Sequence, residues 1–394
     1  MNQIPHRSIL LEREKEDTAF LIAQSEHSSQ SRPHIERFRN GFIVAWMEEG
    51  VPRCEIGCAE IRAKLFSWTG EPIGPDFYIN SETIFDQRDP KVAALPDGGF
   101  VAVWEDFSGR GDDSCNSCVR ARVFSSSGSP LHYEIAANAD TNGRQFNPVV
   151  SPCGKGGFVI AWMCGEEGNK SRNVKARLFT SAGMPLGSDI TVGTPPISVQ
   201  SGISIAGVPT GEFFVVWQER VSSGGRVKGT IVQPDGTRIL IEIAQRAAND
   251  QSRPAACALD NGMFVAAWCD GRHDAIVARS FNTRGQPSSD FRISTELGKV
   301  CSSPAIAPVR SDAFLVTWAE RDAGSDSSEF SRIKARAYGI GMPDELLVSV
   351  AKSDTLSSPV IAALTDDRFI VVWEDGGALP GAALKGRMFS TNER

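Results

Sequence analysis

Seven times along the chain an almost purely apolar run closes on tryptophan: FIVAW, FVAVW, FVIAW, FFVVW, FVAAW, FLVTW and FIVVW. The tryptophans are Trp46, Trp104, Trp162, Trp217, Trp268, Trp318 and Trp373, at steps of 58, 58, 55, 51, 50 and 55 residues. A fixed strand pattern at a period of about 40–60 residues marks a repeat architecture. Within a repeat the pattern changes from strand to strand. Phe100–Trp104 is apolar at every position, as expected of a strand covered on both faces. The next strand, Val119-Arg120-Ala121-Arg122-Val123-Phe124, alternates, and so do Ile61–Lys64, Val174–Arg177 and Ile333–Arg336. Pro96-Asp97-Gly98-Gly99 precedes the apolar strand, and a Phe-x3-Gly-x-Pro turn follows the alternating one at Phe66, Phe124, Phe179 and Phe281. Proline presets φ and glycine supplies positive φ, so both segments are turns. A further proline stands fourteen residues before the tryptophan at Pro90, Pro148, Pro254, Pro304 and Pro359. Pro33 stands thirteen before Trp46, and Ile203 takes the place in the fourth repeat.

Four short antiparallel strands per repeat predict an all-β, seven-bladed β-propeller. The blades fall at about 33–80, 90–138, 148–193, 203–245, 254–295, 304–350 and 359–389, within one domain spanning 18–394 behind a tail of 1–17. The last repeat runs out after its third strand. Its missing strand is expected at 18–23, because Ile22-Ala23-Gln24 followed by Gln30-Ser31-Arg32-Pro33 matches Ile243-Ala244-Gln245 followed by Gln251-Ser252-Arg253-Pro254 at identical spacing. Pairing that strand onto the last blade closes the ring and removes an open sheet edge.

The string from Pro90 to Trp104, the Arg120–Phe124 strand and the Gly183–Gly187 turn resemble tandem repeats of bacterial proteins, many of them secreted and carrying calcium-binding glycine-rich repeats. The resemblance spans nearly the whole chain and implies the propeller fold. It brings no catalytic residues with it, and the glycine-rich nonapeptides of those larger proteins are missing from this sequence.

Composition narrows the function classes. A net charge of −7 with lysine and arginine dispersed through the repeats argues against a nucleic-acid face. No apolar run reaches the roughly 18 residues of a membrane span. The first residues carry acids where a signal peptide needs an apolar core, so the chain reads as a cytoplasmic monomer with no membrane insertion, with export by another route as the alternative.

Acids recur two residues after the tryptophans at Glu48, Asp106, Glu219, Asp270, Glu320 and Asp375, with Cys164 at that place in the third repeat. Each ends a strand beside a basic third strand, which predicts cross-strand ion pairs such as Asp106 with Arg120 or Arg122. The repeated Gln30, Gln87, Gln145 and Gln251 are read as ties to backbone groups between blades. Departures from the rhythm are better candidates for function, because variable loops on a rigid ring carry specificity. They place Glu48, Glu49, Trp68, Asp270, Arg272, His273 and Asp274 as ligand-binding candidates. Trp68 is the one tryptophan outside the repeat position, a sugar-stacking platform or else a lid on a turn.

Nine cysteines cannot all pair within the chain. Cys54-x3-Cys58 and Cys115-x2-Cys118 occupy equivalent loops of adjacent blades, and four converging sulfurs would suit tetrahedral zinc. Disulfides or ordinary thiols are the alternatives, and no other cofactor is indicated. There is no Gly-x-Ser-x-Gly elbow, His-Glu-x-x-His pair or phosphate loop. The expected function is therefore a non-enzymatic propeller recognising glycan or protein through one loop face. The competing reading is a glycan lyase, a hydrolase or another small-molecule enzyme with its pocket at the axial channel mouth.

Overall fold

A computed structural model describes residues 19–50, 58–109, 117–165, 172–193, 199–221, 224–244, 250–271, 275–296, 299–310, 312–322, 330–339, 345–352, 355–376 and 381–390. These form seven four-stranded antiparallel sheets, and among the described residues there is no helix. In six sheets the strand order follows the chain from the innermost strand outwards. The seventh runs Leu356–Ala363, Arg368–Asp375, Ala383–Ser390 and then Phe20–Ala23, so the N-terminal strand supplies the outer edge of the last blade. The innermost strands are Ser29–Phe38, Gln87–Ala94, Arg144–Cys153, Val199–Gly207, Gln251–Ala258, Lys299–Arg310 and Leu356–Ala363. Each contacts the next, and the last contacts the first, so the ring is closed around an axis.

The all-apolar second strands are buried on both sides, as Phe100–Asp106 shows at every position. Each tryptophan packs across the seam onto the preceding blade. Trp104, for example, shares a core with Ile43, Ala45, Met47 and Ile61 of the first blade. The alternating third strands carry two kinds of base. The one opposite the tryptophan pairs within the blade: Arg62 with Glu48 at 3.2 Å, Arg120 with Asp106 at 3.1 Å, Lys228 with Glu219 at 2.9 Å, Lys334 with Glu320 at 3.2 Å and Lys385 with Asp375 at 2.7 Å. The second, two residues on, ties the blade to the outer strand of its predecessor. Arg122 donates to the Ile79 carbonyl, Arg177 to Ala137, Arg279 to Ile243, Arg336 to Ile293 and Arg387 to Val348, while Thr230 does the same to Val192. One basic strand thus satisfies a buried acid and a buried backbone carbonyl.

The prolines mark a bulge. Every innermost strand slips register around its proline, or around Ile203 in the fourth blade, and the residue just before it turns left-handed: Arg32, Asp89, Asn147, Arg253, Ser303 and Ser358 have φ between 49° and 53°, and Gly202 has 54°. For non-glycine residues this conformation costs about 1 kcal/mol each. Such a bulge bends the strand and increases its local twist. The first blade needs one residue fewer before Trp46 because its turn, Arg39-Asn40, is two residues long.

Candidate functional site

The turns between second and third strands and the connections between blades share one face of the ring. On that face, between the first two blades, lies a cleft of about 630 Å³ lined by Glu49, Cys58, Ala59, Phe85, Asp86, Arg88 and Phe107. Its walls come from four chain segments. Glu49 ends the second strand of the first blade, and Cys58-Ala59 begins the third strand. Phe85, Asp86 and Arg88 lead into the second blade, and Phe107 follows that blade's apolar strand. The connection is held to both blades. Asp86 Oδ1 accepts the Ala59 N–H at 3.0 Å, and the Asp86 carbonyl accepts the Phe107 N–H at 3.0 Å. So fixed, Phe85 takes a φ of 57° and stands 57% exposed.

Arginines stack along the cleft wall. The guanidinium of Arg88, ion-paired with Asp86, lies 5.2 Å from the centre of the Phe107 ring, and that of Arg144 lies at the same distance. Arg144 also holds Glu105 at 2.8 Å. Burial pushes the Glu105 carboxyl above its ordinary range despite Arg144 and the Ser117 hydroxyl. Towards the axis stands Arg32, ion-paired with Asp89. Burial works against its charge, but Asp89, Glu105 and Glu49 together outweigh that and hold the proton more tightly. The cleft is therefore amphipathic, with two phenylalanine rings beside the Arg88–Asp86 pair and the Glu49 carboxyl.

The sequence-derived candidates separate in space. Glu49 and Cys58 both line the cleft. Glu48 does not; it is buried, accepting the Ser28 hydroxyl at 2.6 Å and Gln30 Nε2 at 3.3 Å beside Arg62. Trp68 is half-buried on the opposite face, packed on the core between the seventh and first blades with the Arg37 guanidinium 5.5 Å over its ring, the geometry of a lid on a turn. Asp270 ends the second strand of the fifth blade, and Val277 stands across from Trp268 where other blades place a base. Arg272, His273 and Asp274 lie outside the described residues, as do Cys54 and Cys115. Cys58 is disulfide-bonded, and a sulfur so held offers no thiolate to a metal. Cys118 is a buried thiol outside any disulfide, with its Sγ 3.7 Å from Asp106 Oδ2.

Sequence reasoning passed over Phe85, Arg88 and Phe107. The available signal was Ile84-Phe85, an apolar pair in a connection that is otherwise polar.

Two of the glutamines reach a tryptophan side chain, Gln145 in addition to the expected backbone, its Nε2 donating to the Asn142 and Gly143 carbonyls of the connection between blades at 2.9 and 3.2 Å. Gln87 and Gln145 accept the indole N–H of their own blade's Trp104 and Trp162, at 2.8 and 3.0 Å. Gln251 keeps the expected role, accepting the Val227 N–H of the preceding blade at 3.1 Å.

Some charge clusters are structural. Lys334 gathers Glu296 at 2.5 Å, Glu345 at 2.9 Å and Glu320 at 3.2 Å. Burial by itself would raise the Glu345 carboxyl, but hydrogen bonds from Thr295 and Lys334 outweigh it and leave it below the ordinary value. Its contribution is complete above the unfolded value of about 4.3 and fades as pH falls through the depressed folded value. Glu345→Gln should therefore lower the melting temperature at pH 6, by the equivalent of under about 1 kcal/mol given partial solvation. The gap should close below about pH 4. Melting curves from pH 2.5 to 7 check this, and a gap that widens in acid contradicts the assignment.

No protein-family model matches the chain, and no curated protein does. Solved structures do. An ulvan lyase from a new family of polysaccharide lyase superposes with a TM-score of 0.58 at 11% identity, over 93% of this chain and 95% of that one. A protein of unknown function from Dyadobacter fermentans gives 0.55 at 12%, over 94% and 97%. The phage phi92 endosialidase gives 0.53 at 9%, over 96% and 69%. At these identities the likeness shows the fold.

Proposed function

We propose that this propeller is a glycan-binding module whose site is the cleft between the first and second blades. The observation that carries the reading is Phe85, an exposed aromatic ring held at positive φ by bonds from its neighbour Asp86 to both blades, facing a cleft that also presents Glu49. An aromatic plane beside fixed carboxylates and guanidinium groups suits a sugar, which has one apolar face and a rim of hydroxyls. Similar folds give support of a general kind: an ulvan lyase at 10% identity and TM-score 0.57 is solved bound to -[GlcA(1-4)Rha3S]-. Arg88 and Asp86 of the cleft are already engaged with each other, which favours recognition over proton transfer by that pair.

Glycan-array screening followed by titration calorimetry tests the reading. Phe85→Ala removes an exposed ring, so the fold should persist while affinity for the selected glycan drops by roughly tenfold or more. Binding that ignores Phe85→Ala and Arg88→Ala alike removes this cleft from consideration. Release of new reducing or unsaturated ends from the bound glycan would make the protein an enzyme instead.

A further inference from the structure

The axial channel is not uniform. The residue after each bulge proline, or after Ile203, is His34, Lys91, Val149, Ser204, Ala255, Ala305 or Val360 around the ring. At this level the titratable groups are those of the first two blades; at the bulge itself stand Arg32, Asp89 and, in the fifth blade, Arg253, which donates to the Ser303 hydroxyl at 2.7 Å. His34 Nδ1 accepts the Val92 N–H of the second blade at 3.2 Å. Ser204 does the same for Ala256 at 3.0 Å, so inward-pointing N–H groups of the innermost strands are taken by side chains where a suitable one exists. With Nδ1 accepting, the neutral imidazole carries its proton on Nε2. Burial, reinforced by Lys91, keeps this ring neutral.

Lys91 is the group without a counter-charge. Asp89 is engaged by Arg32, and Glu374 by the Arg32 N–H at 2.5 Å and the Ser357 hydroxyl at 2.7 Å. The hydrogen bond from Lys91 Nζ runs to its neighbour's carbonyl, Pro90 O, at 3.1 Å, which engages one of three donors. Among the described residues no carboxylate is ion-paired with it. Burial accordingly pulls the Lys91 ammonium down, with Asp89 opposing and Arg32 adding to the effect. Glu36, two residues beyond His34, is no substitute, because burial pushes its carboxyl up to about 8 and leaves it protonated at neutral pH. A partly buried ammonium with donors to spare and no carboxylate of its own favours an anion beside it.

We propose that the channel wall formed by the first and second blades binds a small singly charged anion, a halide or a carboxylate, at Lys91 and His34. Lys91 supplies the positive charge on this wall, and Asp89 close by disfavours a dianion. The site is separate from the glycan cleft and stands whether or not that reading does.

The test follows the assigned His34 imidazole resonances while sodium chloride or sodium acetate is added at constant ionic strength, balanced with sodium sulfate. A saturable shift is expected in the wild type and in Lys155→Met, an exposed lysine on the other face. In Lys91→Met the half-saturation point should rise by about tenfold or more. Response to chloride alone assigns a halide site, and competition between chloride and acetate for one shift assigns a site open to carboxylates. If Lys91→Met does not fold, that competition in the wild type still decides the matter. A wild-type response that is linear or missing, or one equal in Lys91→Met, overturns the proposal.

Discussion

Trp104→Ala is expected to destabilise the protein by about 5 kcal/mol, well beyond an ordinary core truncation. Removing a buried tryptophan side chain costs about 3–5 kcal/mol through lost burial and the cavity left behind. Here a polar term adds to it. Trp104 Nε1 donates to Gln87 Oε1 at 2.8 Å, Gln87 Nε2 donates to Asp106 Oδ1 at 2.9 Å, and Arg120 Nε donates to Asp106 Oδ2 at 3.1 Å, with Trp104, Gln87 and Asp106 all buried. Truncation leaves Gln87 Oε1 without a donor, worth a further 1–3 kcal/mol or so. The two contributions separate by comparison with the first blade, where Trp46 Nε1 and Gln30 Oε1 are both buried without a hydrogen bond. Trp104→Phe should cost about 1–3 kcal/mol more than Trp46→Phe, since only the former breaks a bond. Urea unfolding of the three variants measures this. Equal costs for the two phenylalanine variants would falsify the role given to Gln87.

That contrast shows where the sequence stops being informative. The strand order, the seven blades and the closing strand are legible because hydrophobic periodicity and turn residues are local signals, and Trp46 through Trp373 repeat them. The pairing of Asp106 with Arg120 is legible too, since an acid and a base at neighbouring strand ends meet across the ladder. What Gln87 binds is not, because Gln30 stands before the same bulge in the first blade and yet its Oε1 and Trp46 Nε1 make no hydrogen bond. Of the bulge residues Gly202, Asn147 and Asp89 are of types that favour the left-handed conformation, whereas Arg32, Arg253, Ser303 and Ser358 are not. The candidate site was legible in part for a related reason. Glu49 and Cys58 follow from the departure of one loop from the repeat, whereas Phe85, Asp86, Arg88 and Phe107 come from segments that meet only when two blades are side by side.

Ring closure supplies the other large effect. A chain lacking residues 1–23 should lose on the order of 5 kcal/mol and should self-associate. The strand Phe20–Ala23 pairs with Ala383–Ser390, with Phe20 opposite Gly386 and Leu21 opposite Lys385. Ile22 is 2% exposed and lies over Gly386, where a Cβ would come within 3.0 Å of Ile22 Cδ1. Phe20 meets Phe66 of the first blade edge-on at 6.4 Å between ring centres, so the strand is bonded to the seventh blade while packing on the first. Burying one isoleucine and most of one phenylalanine is worth about 2–3 kcal/mol each. Deletion also bares the edge of the last blade's third strand, a template for another chain's strand. Ile22→Ala keeps the pairing and loses only the packing, so it should cost about 2–4 kcal/mol and remain monomeric. Sedimentation velocity with urea unfolding separates the two variants. A deleted chain that stays monomeric with an unchanged midpoint would mean that contacts between the innermost strands suffice to hold the ring, and that the N-terminal strand is an accessory to it.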